Sequence, residues 1–335
     1  MVHLSLVHFV YLCKVYFIIA CSSQRIRFTL QEAIDSDSTL TTFSALTSLD
    51  ITRPIADLLV GLEEYTIFAP TDEAFDSTNL GLGLTNDTVD LLRYHIVRGR
   101  HHYADLQSNP QFLPTILNST VVNDKQYLGI YNRTAASARN KDTKIEVTDG
   151  KKRGKIATEE IETGNGIILK IDRVLTPPAT LAKSLHRLNL TAFSNILSLS
   201  GLASTLEHTQ NLTVFAPTNE ALSKTSLSDV KSLEAFVRNH VVSSRIYSRD
   251  LQDGYSIWTE SRMPMLIRRD SQSNIYIDNV KILQSDRLLS NGVLYVVNSP
   301  IEPGQPLYTI GLANRQSAGY WGWLMLVVAN ILYSV

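Results

Sequence analysis

The sequence predicts two tandem α+β domains, and three observations support that fold class. The first is a duplication. Tyr65 to Phe75 reads YTIFAPTDEAF, and Leu212 to Leu222 reads LTVFAPTNEAL. Flanking blocks recur in the same order. FSALTSLDITRPIADLL from Phe43 answers FSNILSLSGLASTLE from Phe193, LLRYHIVRGR from Leu91 answers AFVRNHVVSSR from Ala235, and GNGIILKIDRVL from Gly164 answers SNGVLYVVNSPI from Ser290. The repeat is far longer than the roughly 20–50 residues of a solenoid unit, so each copy owns its core. The second observation is order within a copy: helical periodicity comes first and strand-like runs follow, which favours α+β over a doubly wound parallel sheet. The third is bulk. A chain of 335 residues, 44% apolar and 19% charged, suits two ordinary globular domains, each able to bury a core without staples.

Copy one is placed at residues 28–176. Leu30, Ala33, Ile34, Leu40, Phe43 and Leu46 fall at helical intervals, with Asp and Ser residues as caps and breaks. Arg53 to Leu59 reads as a second short helix with Pro54 in its first turn. Tyr65 to Ala69 is rich in β-formers and closed by Pro70, and Thr71 is placed to cap a helix starting at Asp72. Asp87 to Arg98 reads as one further helix. Thr120 to Asn123, Tyr127 to Tyr131, Thr143 to Thr148 and Gly166 to Leu175 read as strands between Gly, Asn and Asp turns. Copy two, at 179–303, repeats the scheme in fewer residues, with Arg133 to Arg153 as an extra loop of copy one.

The ends differ from the middle. Residues 1–22 are apolar and finish on small residues, as a secretory signal does, although Lys14 interrupts the run and no basic residue precedes it. A polar spacer is placed at 304–319, and the tail 320–335 carries no charge. That tail has three readings: a glycolipid-anchor signal with Gly311, Asn314 or Ser317 as attachment residue, a short membrane-spanning helix, or a plain apolar tail. Cys13 and Cys21 are the two cysteines, so a chain freed of its leader has no disulfide framework and no thiol chemistry. Asn86, Asn118, Asn132, Asn189 and Asn211 head Asn-x-Ser/Thr sequons and are candidate glycan acceptors.

The strand-to-helix signature, the Tyr94-His95 helix block and GNGIILKIDRVLTPP from Gly164 together resemble the fasciclin-type domain family. The resemblance implies two compact domains, each a β-sheet wedge or sandwich with several helices packed around it. It also implies adhesion or matrix interaction at a cell surface without enzymatic activity. The family's adhesive Tyr-His pair falls on Tyr94 and His95; copy two has Asn239 and His240 there, which loses the phenol. A second adhesive element, an Asp followed by an apolar residue, falls on Asp105-Leu106 and Asp250-Leu251.

Each candidate also has a plain structural reading. A histidine kept in both copies while its neighbour changes suits the core, satisfied by a backbone carbonyl or carboxylate. His95, His101 and His102 are not joined by an acid at a known ligand spacing, and the adjacent pair points apart, so no metal is expected. Lys151, Lys152, Arg153 and Lys155, with Arg139, Lys141 and Lys144, form a basic stretch suited to an anionic polysaccharide or headgroup. It is equally the solvated tip of a hairpin turning at Asp149-Gly150, with Glu159, Glu160 and Glu162 to neutralise it. There is no nucleophile elbow, His-Glu-x-x-His or phosphate loop, so neither catalysis nor a cofactor is expected. The net charge of −1 gives no reason to expect nucleic acid as partner. The expected partners are a cell-surface or matrix protein, a polysaccharide, or a second copy of the chain. The expected place is the cell surface, reached by the secretory route and held by the tail; a vacuolar or other internal membrane is the alternative.

Overall fold

The structure, a computed structural model, describes residues 28–78, 85–107, 110–119, 122–134, 143–223, 225 and 229–302. The leader, the spacer, the tail and the three anchor candidates lie outside the described residues, as do Arg139 and Lys141. The chain divides into two compact units, one ending at Pro178 and one beginning at Ala179. Each is α+β.

In the first unit, helices α1 (Leu30–Ser36), α2 (Thr41–Thr47) and α3 (Arg53–Val60) precede the first strand. A capping box starts α1: the Thr29 hydroxyl accepts from Glu32 N–H, and the Glu32 carboxylate accepts from Thr29 N–H. Pro54 sits in the first turn of α3, where its missing N–H costs nothing. Strand β1 (Tyr65–Pro70) leads into α4 (Asp72–Asp76) and then α5 (Asn86–Tyr94). The sheet is completed by β2 (Ile96–Arg98), β3 (Gln111–Asn118), β4 (Lys125–Thr134), β5 (Thr143–Thr148), β6 (Arg153–Thr163) and β7 (Gly166–Ile171). These strands follow one another round a closed barrel, with β1 antiparallel to β2 and parallel to β7.

Strand β1 is buried along its whole length, because each face has its own core. Tyr65, Ile67 and Ala69 pack with the helices, beside Leu30, Phe43, Ile55 and Leu92. Phe68 points the other way, into the barrel, with Leu128, Ile145, Ile167 and Leu169. A strand covered on both faces carries a continuous apolar run rather than an alternating one, and that is what made it visible in the sequence.

The second unit repeats the plan with α6 (Leu181–Arg187), α7 (Thr191–Leu199), α8 (Ala203–His208), β8 (Leu212–Pro217), α9 (Asn219–Leu222) and α10 (Val230–Asn239). Then come β9 (Val241–Val242), β10 (Ser256–Trp258), β11 (Pro264–Arg269), β12 (Ile275–Ile277), β13 (Val280–Leu289) and β14 (Gly292–Val297). They form one sheet in the order β10-β11-β12-β13-β14-β8-β9.

Several sequence expectations change. Asp87 to Arg98 is not one helix: α5 ends at Tyr94, His95 is its C-cap, and Ile96 pairs with Ile67 across the sheet. The apolar run Ile96-Val97 serves a strand, and only its continuity with the helix hid the break. The Arg133 to Arg153 insertion is not loop throughout: it holds β5, the strand expected at Thr143 to Thr148, and β4 extends into it as far as Thr134. Of the strand expected at Thr120 to Asn123, the described residues Val122 and Asn123 lie instead in the turn between β3 and β4, Asn123 at a φ of 48°. β7 stops at Ile171 rather than Leu175, and β3 and β6 lie where no strand was expected.

Candidate functional site

The Tyr94-His95 pair is part of the core. Both side chains are fully buried. The Tyr94 hydroxyl donates to the Tyr127 carbonyl at 2.6 Å, tying α5 to β4. His95 Nε2 lies 3.0 Å from Leu175 N–H and accepts from it, so Nδ1 carries the proton and donates to the Leu91 carbonyl at 2.8 Å. The imidazole must therefore be neutral, and burial lowers its pKa to about 4. His240 repeats the arrangement. It donates to the Phe236 carbonyl at 2.7 Å, accepts from Ile301 N–H at 2.9 Å, and is again held at about 4 by burial. In each unit the histidine joins the end of a helix to the chain that leaves the last strand.

A second repeated device is the Asn-Gly pair before that strand. Asn165 donates to the Leu59 and Gly61 carbonyls and accepts from Leu30 N–H. Asn291 donates to the Leu206 and Thr209 carbonyls. The glycines that follow let two backbones meet: a Cβ on Gly166 would lie 2.1 Å from the Tyr65 carbonyl oxygen, and one on Gly292 the same distance from that of Leu212.

Of the remaining adhesive candidates, Leu106 is buried in the barrel core and Asp105 is exposed at the start of a short 3-10 turn. Among the sequon residues, Asn86, Asn118, Asn189 and Asn211 are exposed. Asn132 is half-buried inside β4, and its amide nitrogen donates to the Gln107 carbonyl at 2.9 Å.

The basic stretch is divided among separate tasks. Lys151 donates to the Thr176 hydroxyl and the Pro177 carbonyl. Arg153 pairs with Glu146 at 3.4 Å and lies 4.3 Å over the Tyr131 ring. The neutralising partner is thus Glu146 of β5, not the three glutamates of β6. Lys144 and Lys155 instead line a cleft of about 750 Å³ with Lys170, Tyr103, Ile156 and Asp172. Lys170 is held by Asp37 at 2.6 Å; among the described residues the other two ammoniums have no ion-pair partner.

One surface cluster was not legible from the linear sequence. The buried Thr66 hydroxyl accepts from His101 N–H and donates to the Gly99 carbonyl, which fixes the loop after β2. His102, next in that loop, places Nδ1 2.8 Å from Glu160 Oε1 and 3.9 Å from Glu162 Oε1. The other Glu160 oxygen accepts from Tyr103 N–H at 2.7 Å. The hydrogen bond to Glu160 raises the pKa of His102. Burial would raise that of Glu160, but the bonds from His102 and Tyr103 bring it down.

The fasciclin domain model matches this chain twice, over residues 38–177 and 188–303. The chain belongs to the fasciclin domain family. Similar proteins include a fasciclin-like arabinogalactan protein of Arthroderma benhamiae, 26% identical over 76% of this chain and 62% of its own length. Human periostin is 25% identical over 78% of this chain and 31% of its own, and Drosophila melanogaster fasciclin-1 is 24% identical over 74% and 41%. The chain thus spans less than two thirds of each of these relatives. A solved FAS1 domain pair from the insect cell adhesion molecule fasciclin I aligns with 79% of this chain and 97% of its own, at 21% identity and a TM-score of 0.38. Among the described residues no helix is long and apolar enough to cross a membrane.

Proposed function

We propose that this is a secreted, glycosylated fasciclin protein, held at the cell surface by its C-terminal tail, that joins the cell to matrix or wall polymers through non-covalent contacts of its domain faces. The observation that carries the reading is the pair of fasciclin domains, with the polar residues repeated between this chain's two copies spent inside them. His95, His240, Asn165 and Asn291 all satisfy backbone groups, and Tyr94 does the same, so binding falls to the outer faces. Single faces bind weakly. Many copies on one surface engage together, and the effective concentration of each later contact rises without any new chemistry. The open cleft of the first domain, with Lys144, Lys155 and Ile156 in its lining, suits an acidic polysaccharide better than a neutral one.

The second reading rests on the tail, which is apolar and uncharged over residues 320–335. If it is retained, the protein is a single-pass component of a secretory or vacuolar membrane that helps membranes meet. One experiment separates the two. The full chain is expressed in a eukaryotic cell, intact cells are treated with phosphatidylinositol-specific phospholipase C, and the medium is probed for the second domain. Release, together with loss of cell aggregation, is the expected outcome. Retention, with tail peptides still detected by mass spectrometry, favours the spanning protein.

A further inference from the structure

We propose that His102, Glu160 and Glu162 form a divalent-cation site of the first domain, suited to zinc. The three side chains come from two elements, the loop after β2 and one face of β6, where residues two apart point the same way. Each offers one ligand atom, and the three atoms lie within 4.8 Å of one another. A tetrahedral ion with bonds of about 2.0–2.2 Å spaces its ligand atoms about 3.4 Å apart. The observed separations from His102 Nδ1, 2.8 Å to Glu160 and 3.9 Å to Glu162, bracket that value. Side-chain shifts on the order of 1 Å therefore fit the cluster around an ion.

The surroundings favour a cation over a mere ion pair. Two carboxylates face one imidazole, and Asp105 adds further negative potential at His102. Glu160 is pre-oriented, since its second oxygen is held by Tyr103 N–H, as ligating carboxylates commonly are by an outer partner. One nitrogen and two oxygens suit zinc, whereas calcium takes six to eight oxygens. Three protein ligands leave a position for water.

The second domain supplies the contrast. Its loop is fixed in the same way, by Ile246 N–H on the Thr213 hydroxyl, and its carboxylate Asp286 accepts from Ser248 N–H as Glu160 does from Tyr103. The three stations there are Tyr247, Asp286 and Leu288, by the strand register that sets Glu162 against Ile167 and Leu288 against Val293. The carboxylate that orders the loop is thus common to both domains. The histidine and the second glutamate belong to the first domain alone.

The test is zinc chloride titrated calorimetrically into the full, chelator-stripped chain, with cobalt(II) absorption as the readout of nitrogen coordination. The expected result is one zinc per chain, weakened at least tenfold in His102→Gln and in Glu162→Gln. The visible cobalt band should vanish in His102→Gln and persist in His101→Gln. Glu162 is well exposed and keeps the variant foldable if loss of His102 disturbs the loop. Absence of binding by the wild type overturns the site. So does zinc binding that both variants retain at full strength, which would place the ion elsewhere.

Discussion

In the first domain β1 pairs with β2 on one side and β7 on the other, and the sheet closes on itself. In the second, β8 pairs with β9 and β14, and the sheet ends at β9 and β10. Only beyond β10 does Glu260 N–H reach back to the Val241 carbonyl at 2.8 Å. Yet the parallel pairs β1·β7 and β8·β14, the Asn-Gly pairs and the capping histidines are the same. The difference teaches where the fold is specified. The helical side and the central parallel pair carry the repeated polar residues; the outer strands carry the divergence, including Lys144, Lys155 and the His102 cluster.

The sharpest way to test that equivalence is the glycine pair. Gly166→Ala and Gly292→Ala would each push a Cβ against a neighbouring carbonyl 2.1 Å away, and backbone gives far less readily than a flexible side chain. Overpacking of this kind belongs at the severe end, about 4 kcal/mol or more in each domain. Hydrogen exchange read by mass spectrometry resolves the domains separately. The expected result is loss of protection confined to the mutated domain and of similar size in both. A second domain that tolerates the alanine would show that an unclosed sheet has slack the barrel lacks.

The capping histidines come next. Their folded pKa of about 4 lies below the unfolded value of 6.5. The unfolded chain therefore binds protons first as pH falls. The stability each histidine supplies is fully present above about pH 6.5 and is lost as pH drops towards 4. The full effect is about 3 kcal/mol per domain. Denaturation followed from pH 7.5 to 4.5 should show both domains weakening together. His95→Gln should cost the first domain about 1–3 kcal/mol at neutral pH, because the amide can stand in for Nε2 but not for the Nδ1–H that donates to the Leu91 carbonyl, and should flatten only that domain's slope. If the slope survives His95→Gln, the acid sensitivity lies elsewhere and the two histidines are not equivalent devices.

The sequence exposed the parts that are both repeated and locally patterned. β1 and β8 stand out as apolar runs closed by Ala-Pro-Thr, and Thr218 caps α9 as its position suggests, accepting from Ala221 N–H. In the first domain Thr71 occupies the N-cap of α4 without such a bond. β6 stayed hidden because Glu159, Glu160 and Glu162 fill positions on its exposed stretch, so hydrophobicity gives no strand period there. β3 carries Pro114, which reads as a breaker until its neighbours are known. The His102 cluster depends on strand register, since its two closest members stand 58 residues apart. No local pattern links residues at that separation.

The smallest effect is expected at Tyr94, where the two domains truly part. Tyr94→Phe removes one buried hydrogen bond, to the Tyr127 carbonyl, and leaves the ring in place. The cost should be about 1 kcal/mol, confined to the first domain. The second domain has Asn239 at this position, only half-buried, and its helix is anchored beside it by His240 alone of that pair. A fully buried phenol has no atom to offer a partner, so cell aggregation by Tyr94→Phe should match the wild type at a temperature where both are folded. Tyr94→Ala should abolish aggregation through unfolding instead, because emptying that core site costs about 3–5 kcal/mol. Normal stability with lost aggregation in Tyr94→Phe would overturn this placement, making the hydroxyl a contact that opens to a partner. Equal loss of stability and aggregation in Tyr94→Ala, with Tyr94→Phe silent, would leave the pair as a structural pin that one domain has kept and the other has half discarded.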